Sequence, residues 1–195
     1  MTKTMRYLVP FLIPVVLFFF VGCAGHTTVA VSTTSLATAS YVLFCAEGSI
    51  AGSGRSVELV PTSIAITNTQ SVSEWARELS DAESISDYPA SGYLVQIILI
   101  DKNKEPVAWV RILCHQCTVV LKPCYRRGKK YFAYITPTAQ RIVRCEPFVR
   151  DIYTFMQTHM NVRLDELRNC YAEAGLDLED MLFKRDVHSR ATSKP

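Results

Sequence analysis

Residues 93–100 constrain the fold most, because Tyr-Leu-Val-Gln-Ile-Ile-Leu-Ile is an almost continuous apolar run. A strand with this pattern lacks the alternation of a half-solvated strand and must be covered on both faces. The polar residues 101–105 that follow include Asn103, which tolerates a left-handed turn, and residues 106–113 are again β-rich. The pattern predicts a long hairpin over 93–113 at the centre of a sheet.

The segments around this hairpin indicate strands first and helices last. Residues 41–45 and 57–66 are β-rich, and Pro61 should interrupt the second of them. Ser71 and Glu74 form a capping box that predicts a short helix ending near Leu79. Residues 118–122 and 131–136 bracket a turn at Gly128 and predict a second hairpin.

After Pro147 the apolar period becomes helical, with one stripe from Phe148 to His159 and another from Leu164 to Ala174, before Gly175. Asp177 can cap a further short helix. The fold prediction is therefore α+β, with a mostly antiparallel sheet of hairpins over about 41–145, a short inserted helix, and a C-terminal helical hairpin packed on the sheet.

The composition indicates one globular domain. The 195 residues are 49% hydrophobic and 20% charged with a net charge of +3, which argues against disorder and against nucleic-acid binding over the whole surface. No HExxH, GxSxG, GxGxxG or phosphate-loop motif occurs, so hydrolases and nucleotide enzymes with those motifs have no support. We predict no catalytic residue, metal or cofactor, and no nucleic-acid partner.

The N-terminus has the order of an export signal. Lys3 and Arg6 precede an uncharged run over 7–21, and Gly22 and Cys23 follow it. A helix of that length covers only about 22 Å of a hydrocarbon core that is about 30 Å thick, which argues against a permanent span. An ordinary cleaved signal peptide and an uncleaved anchor helix are the alternatives.

Phe20-Val21-Gly22-Cys23 resembles the lipobox of bacterial lipoproteins. The resemblance implies diacylglyceryl transfer to the Cys23 thiol, cleavage after Gly22 and acylation of the new N-terminus. Ala24 replaces the Asp that commonly retains such proteins at the inner membrane, so the resemblance favours the periplasmic face of the outer membrane. On this interpretation, residues 1–22 are the signal peptide, 23–40 a lipidated Cys with a flexible tether, 41–185 the domain, and 186–195 a disordered tail.

Six further cysteines bear on the redox state of the exported chain. An even number of cysteines in an oxidising compartment favours disulfides, but their pairing cannot be read from the sequence. Zinc bound by four of the six, at positions 114, 117, 124 and 145, is a less favoured alternative because Thr118 stands where a zinc knuckle usually has Gly. The candidate disulfide cysteines are Cys45, Cys114, Cys117, Cys124, Cys145 and Cys170.

Charge is distributed unevenly along the chain. Residues 122–150 carry eight basic side chains and one acidic side chain, whereas residues 71–105 and 151–186 are each net acidic. The densest cluster lies beside aromatic residues, which suits an anionic partner such as an anionic lipid, an acidic envelope protein or a surface polymer such as a glycan. A solvated turn that protects a sheet edge is the alternative. The candidate interaction surface comprises Arg126, Arg127, Lys129, Lys130 and Tyr131.

Two functional hypotheses follow. The first is a lipid-anchored envelope protein whose domain binds or assembles with a partner without catalysis. The second is an envelope thiol-disulfide enzyme that uses Cys114 and Cys117, which form a CxxC motif. Residues 118–121 read as a strand, however, where a thiol oxidoreductase needs a helix starting at the second cysteine.

The anchor hypothesis predicts the behaviour of one variant. Cys23→Ser should abolish incorporation of labelled fatty acid and leave a precursor of higher mass, because the acyl acceptor is lost. Metabolic labelling and intact-mass measurement check this. Unchanged labelling, or an unchanged mature mass, would contradict the lipoprotein interpretation.

Overall fold

The central hairpin organises the larger of two antiparallel sheets in this computed structural model, which describes residues 31–45, 52–53, 56–86, 92–134 and 139–184. Seven strands form this sheet in the order β4-β1-β6-β7-β8-β11-β5. Their bounds are β1 Ala39–Cys45, β4 Pro61–Ile66, β5 Glu83–Ser84, β6 Tyr93–Asp101, β7 Pro106–Leu113, β8 Thr118–Lys122 and β11 Arg141–Arg144. Asp101 accepts backbone N–H bonds from Asn103 and Glu105 and so holds the β6–β7 turn.

A smaller sheet of four strands has the order β2-β3-β10-β9. Its strands are β2 Gly52–Ser53, β3 Ser56–Leu59, β9 Cys124–Arg127 and β10 Lys130–Tyr134. Five helices complete the described fold: α1 Thr33–Leu36, α2 Thr69–Asp81, α3 Glu146–His159, α4 Asn161–Glu173 and α5 Leu178–Phe183. The α+β prediction, with mostly antiparallel strands and C-terminal helices on the sheet, is confirmed.

Strand β6 is buried on both faces, as its apolar pattern predicts. Ile97 and Leu99 enter a first core shared with the helices, whereas Ile98 and Ile100 enter a second core shared with the smaller sheet. All four side chains are 4% exposed or less. Because successive side chains of a strand point to opposite faces, β6 separates a helical layer from a second β layer.

Helix α2 begins two residues before the predicted capping box. The side chain of Asn68 accepts a hydrogen bond from the Gln70 N–H at 3.1 Å and so caps the helix in place of Ser71. The apolar face of α2 is buried as predicted. The indole of Trp75 also connects α2 to α3, because Trp75 Nε1 donates a hydrogen bond to Asp151 Oδ2 at 2.9 Å. A buried Trp normally finds such a partner for its N–H group.

The C-terminal helices follow the predicted stripes. Phe148, Ile152 and Met156 of α3 are fully buried, and Asp177 caps α5 by accepting the Asp180 N–H at 2.8 Å. Helix α4 is more exposed, with Leu164 as its buried residue. The C-terminal helices therefore shield one face of the larger sheet.

Pro61 divides its segment as predicted and sends the two halves to different sheets. Strand β3 pairs with β10 of the smaller sheet, whereas β4 pairs with β1 at the edge of the larger one. Proline cannot donate a ladder hydrogen bond, so it is tolerated at the first position of an edge strand. A single residue, Val60, links the two layers.

The predicted pairing of 118–122 with 131–136 was wrong. Strand β8 pairs with β7 and β11 of the larger sheet. Strand β10 pairs instead with β9, a strand that the sequence pattern did not predict. Pro123 stands between β8 and β9, where it ends the larger sheet's ladder and lets the chain change layer. Residues 135–138 lie outside the described residues.

The predicted tether boundary was also wrong for its last residues. Val31, Leu36 and Ala39 are buried in the first core, and β1 already begins at Ala39. Three apolar side chains in a Thr- and Ser-rich stretch give no clear period, so the packing could not be read from the sequence. Residues 1–30, with the lipobox-like segment, and the predicted tail lie outside the described residues.

The double-sided burial of β6 predicts a large mutational effect. Leu99→Ala should reduce the free energy of unfolding by about 2–5 kcal/mol, because it leaves a cavity between strand and helices. Chemical denaturation checks this. The matched control is Leu176→Ala, since Leu176 is 47% exposed, and its effect should be about 0.5 kcal/mol or less. Equal effects would contradict the layered core.

Candidate functional site

The candidate surface lies on the basic hairpin, which we define as residues 124–134. Strands β9 and β10 are joined by Gly128 and Lys129, and Lys130 pairs with Arg127. Gly128 has φ +63°, and an added Cβ there would meet nothing within 4 Å, so the backbone conformation is what favours glycine. Such a tight turn projects the cations of the loop away from the sheets.

The outer face of the hairpin is aromatic. Tyr125 stacks on Phe132 with ring centroids 5.3 Å apart, and it packs against Tyr134 at 4.9 Å. Tyr125 and Phe132 are direct partners across the β9–β10 ladder, so their side chains share one face. All three rings are half-buried. They form a continuous platform beside the basic turn.

The four cations of the hairpin divide into two pairs. Arg126 forms an ion pair with Glu105 at 2.8 Å, and Lys130 forms one with Glu58 at 3.0 Å. Arg127 and Lys129 are exposed and have no ion-pair partner among the described residues. Two positive charges therefore remain available at the tip of the hairpin.

Tyr131 does not belong to the exposed surface, and its inclusion there was wrong. Its side chain is 9% exposed and packs in the second core with Ala133. Tyr131 pairs with Leu59 of β3, whose side chain is in the same core. The alternation of strand β10 places Phe132 outward and Tyr131 inward, a register that the sequence pattern alone did not fix.

The CxxC motif forms a tight turn between β7 and β8. Gln116 and Cys117 have φ angles of 44° and 52°, both left-handed. Helix α5 covers this turn: the backbone N–H groups of Gln116 and Cys117 donate to the carbonyls of Met181 and Leu182 at 2.8 and 2.7 Å. Helix α5 therefore shields the turn from one side.

The thiols of the motif are buried. Cys114 and Cys117 are 0% and 3% exposed, and the Cys117 thiol donates to the Leu182 carbonyl at 3.2 Å. Burial raises the pKa of Cys114 to about 11, although a hydrogen bond with Tyr171 works in the opposite direction. A thiol with so high a pKa is almost wholly protonated at neutral pH and is a poor nucleophile.

The structure holds the six described cysteines as free thiols. Among the described residues, no group of three or more His, Cys, Asp or Glu side chains is arranged to hold a metal ion. The four cysteines suggested as zinc ligands are divided between the cores, since Cys124 packs on the second core while Cys114, Cys117 and Cys145 lie in the first. The disulfide hypothesis stays a prediction.

A cleft of about 660 Å³ lies where α2 ends and α3 begins. No pattern in the sequence predicted this site. Three arginines and four acidic residues line it, and Cys145 is among the other lining residues. Burial raises the pKa of Cys145 to about 11 despite a hydrogen bond from the Phe148 N–H. The mixed charges largely balance, as in the Arg150–Glu146 pair at 2.7 Å. Its residues come from two distant segments, so no local pattern could have revealed it.

No family model, curated protein or solved structure matches the chain. Within the described residues, no helix is both long and apolar enough to cross a membrane. The functional argument therefore rests on the residues themselves.

The burial of the thiols predicts their order of reaction. In the reduced, folded protein Cys170, which is exposed, should be alkylated faster than Cys45, Cys114, Cys117 or Cys145 by more than about tenfold. Time-resolved alkylation followed by peptide mass spectrometry checks this. Rapid modification of Cys114 or Cys117 would contradict the buried geometry and favour a thiol enzyme.

Proposed function

We propose that this chain is a lipid-anchored cell-envelope protein whose domain binds an anionic partner through the basic hairpin, without catalysis. The lipobox-like segment ending at Cys23 supports the anchor. Diacylation of a cysteine and acylation of the N-terminus would add several buried chains, and each buried CH₂ contributes about 0.8 kcal/mol to membrane binding. On this proposal the protein lies at the periplasmic face of the outer membrane.

One observation carries the binding proposal: two unpaired cations lie beside a platform of three half-exposed aromatic rings. Arg127 and Lys129 have no ion-pair partner among the described residues, while Arg126 and Lys130 are held by acidic neighbours. Unpaired cations attract an acidic surface, and neighbouring rings add flat apolar area for contact. This combination suits an acidic protein face or an anionic polymer.

The uneven charge supports the same proposal. The basic residues are concentrated between positions 122 and 150, and acidic residues predominate on either side. Within this basic segment, Arg127 and Lys129 have no ion-pair partner among the described residues and would attract an anionic partner.

The thiol-disulfide enzyme is less well supported. An attacking cysteine needs an exposed thiolate with a lowered pKa, commonly at a helix N-terminus. Cys114 and Cys117 are buried, burial raises the pKa of Cys114 to about 11, and strand β8 follows the second cysteine. The geometry favours a packing role for this pair.

The binding proposal predicts a charge-specific effect. The double variant Arg127→Gln with Lys129→Gln should weaken binding to polyglutamate or to an anionic polysaccharide by roughly 2- to 10-fold at low salt, and should flatten the salt dependence. Binding measured at several ionic strengths checks this. The two probes distinguish an acidic polypeptide from an acidic glycan as the preferred partner.

A matched control removes the same charge elsewhere. Arg77→Gln with Lys184→Gln changes two exposed cations, one on α2 and one directly after α5, on the helical side of the larger sheet. This variant should keep nearly all of the binding. An equal loss in both variants would mean that only net charge matters, and no loss in either would mean that the basic hairpin is a solvated edge.

A further inference from the structure

Two cysteines from different layers share the interface between the sheets. Cys45 is the last residue of β1 in the larger sheet and is 5% exposed within the second core. Cys124 is the first residue of β9 in the smaller sheet and packs against the same cluster. No other cysteine belongs to that cluster or packs on it among the described residues.

The strand registers explain why both side chains face this interface. On β1, Phe44 belongs to the first core, so its neighbour Cys45 points to the opposite face, toward the smaller sheet. On β9, Cys124 lies directly opposite Ala133, whose side chain is in the second core. Because opposite residues of an antiparallel pair share a face, Cys124 points toward the larger sheet.

The pKa directions fit this placement. Burial raises the pKa of Cys124, and an ionised Cys45 would raise it further. Burial likewise raises the pKa of Cys45 to about 12. Two cysteines that face the same small cluster from opposite sheets are placed to form a disulfide.

We propose that Cys45 and Cys124 form a disulfide that joins the two sheets when the chain folds under oxidising conditions. The oxidant is a disulfide of another molecule, either a small organic disulfide or a disulfide-donating protein. One cysteine thiolate attacks it to give a mixed disulfide and releases one thiol. The second cysteine then attacks the mixed disulfide, closing the Cys45–Cys124 bond and releasing the second thiol. The two cysteines lose two electrons and two protons, which the oxidant takes up.

The timing of this reaction follows from burial. Once the sheets have closed, the Cys45 side chain is buried and the pKa values of both thiols are raised, so exchange should be slow. Before closure they are exposed and have ordinary pKa values near 8.5. The bond therefore forms during folding, and reduced protein that has already folded is oxidised slowly.

The proposed bond would secure the sheet that carries the basic hairpin. Cys124 begins β9, so a bond at this position joins the base of the hairpin to the larger sheet. Only the formation of this disulfide in the cell rests on the proposed envelope location. The chemistry itself requires only the fold and an oxidant.

Refolding tests the proposal directly. The full chain carrying Cys23→Ser is reduced, unfolded and refolded in a buffer of reduced and oxidised glutathione. Digestion with a protease that cleaves after aromatic residues and leucine separates Cys124 from Cys117 at Leu121. We expect a disulfide-linked pair of peptides containing Cys45 and Cys124, and a higher unfolding temperature than in the reduced sample.

A second arm tests the timing. Folded, reduced protein in the same buffer should form this bond more slowly than the refolding chain, by at least about tenfold. Cys45→Ala and Cys124→Ala should each lose the link and the temperature difference, whereas Cys170→Ala should retain both. Because the peptide map is made on a chain with all six of these cysteines, it decides the question even if a core variant fails to fold.

Two results would overturn the proposal: Cys45 or Cys124 linked to a different cysteine, or both recovered as free thiols after oxidative refolding. Neither result bears on lipidation at Cys23 or on binding by the basic hairpin. Conversely, a cytosolic, unlipidated protein would still form the bond in this buffer. A failure of the disulfide proposal can therefore be distinguished from a failure of the proposed anchor and binding function.

Discussion

The structure depends on covering strand β6 from both sides. Its side chains alternate between two cores, so neither the helices nor the smaller sheet alone could remove its apolar surface from water. Burial of such side chains contributes about 1.5–3 kcal/mol each, which makes the double cover a major source of stability. The remaining elements are arranged to supply the two covers, and the basic hairpin is part of one of them.

This arrangement gives the basic hairpin two unlike faces. Tyr131 and Ala133 anchor the inner face in the second core, while Tyr125, Phe132 and Tyr134 occupy the outer face. A short hairpin on its own is only marginally stable in water, so the outer aromatic platform depends on the packing beneath it. The position of the outer rings and the stability of the second core are thereby coupled.

On the helical side of β6, a polar network holds helix α5 in place. Tyr153 donates to Glu179, and Arg168 donates to the same carboxylate at 2.8 Å. Burial works against the ionised form of Glu179, but these two hydrogen bonds keep its pKa below the ordinary value. Helix α5 in turn closes over the CxxC turn through the Met181 and Leu182 carbonyls, which explains why a motif typical of redox enzymes is inaccessible here.

The sequence by itself determined the types and order of the long elements, but not the short strands β2, β5, β9 and β11 or helix α1. The apolar run of β6, the break at Pro61, and the helical stripes after Pro147 are local patterns, and each element type is set by spacing along a few residues. The concentration of cations near Gly128 was equally visible, because charge is a property of composition. The cluster at 126–130 was thus identified as a candidate surface without the structure.

Only the tertiary structure decided which strands pair, which residues face inward, and which charges remain unpaired. Pro123 redirects the chain from one sheet to the other, so β8 and β9 join different ladders despite being adjacent. The inward position of Tyr131, the ion pairs of Arg126 and Lys130, and the placement of Cys45 and Cys124 at one cluster all follow from contacts between distant segments. Such contacts depend on how the two layers are stacked. A shift of one residue in strand register would move every side chain of that strand to the opposite face of the sheet, so local periodicity cannot specify these contacts.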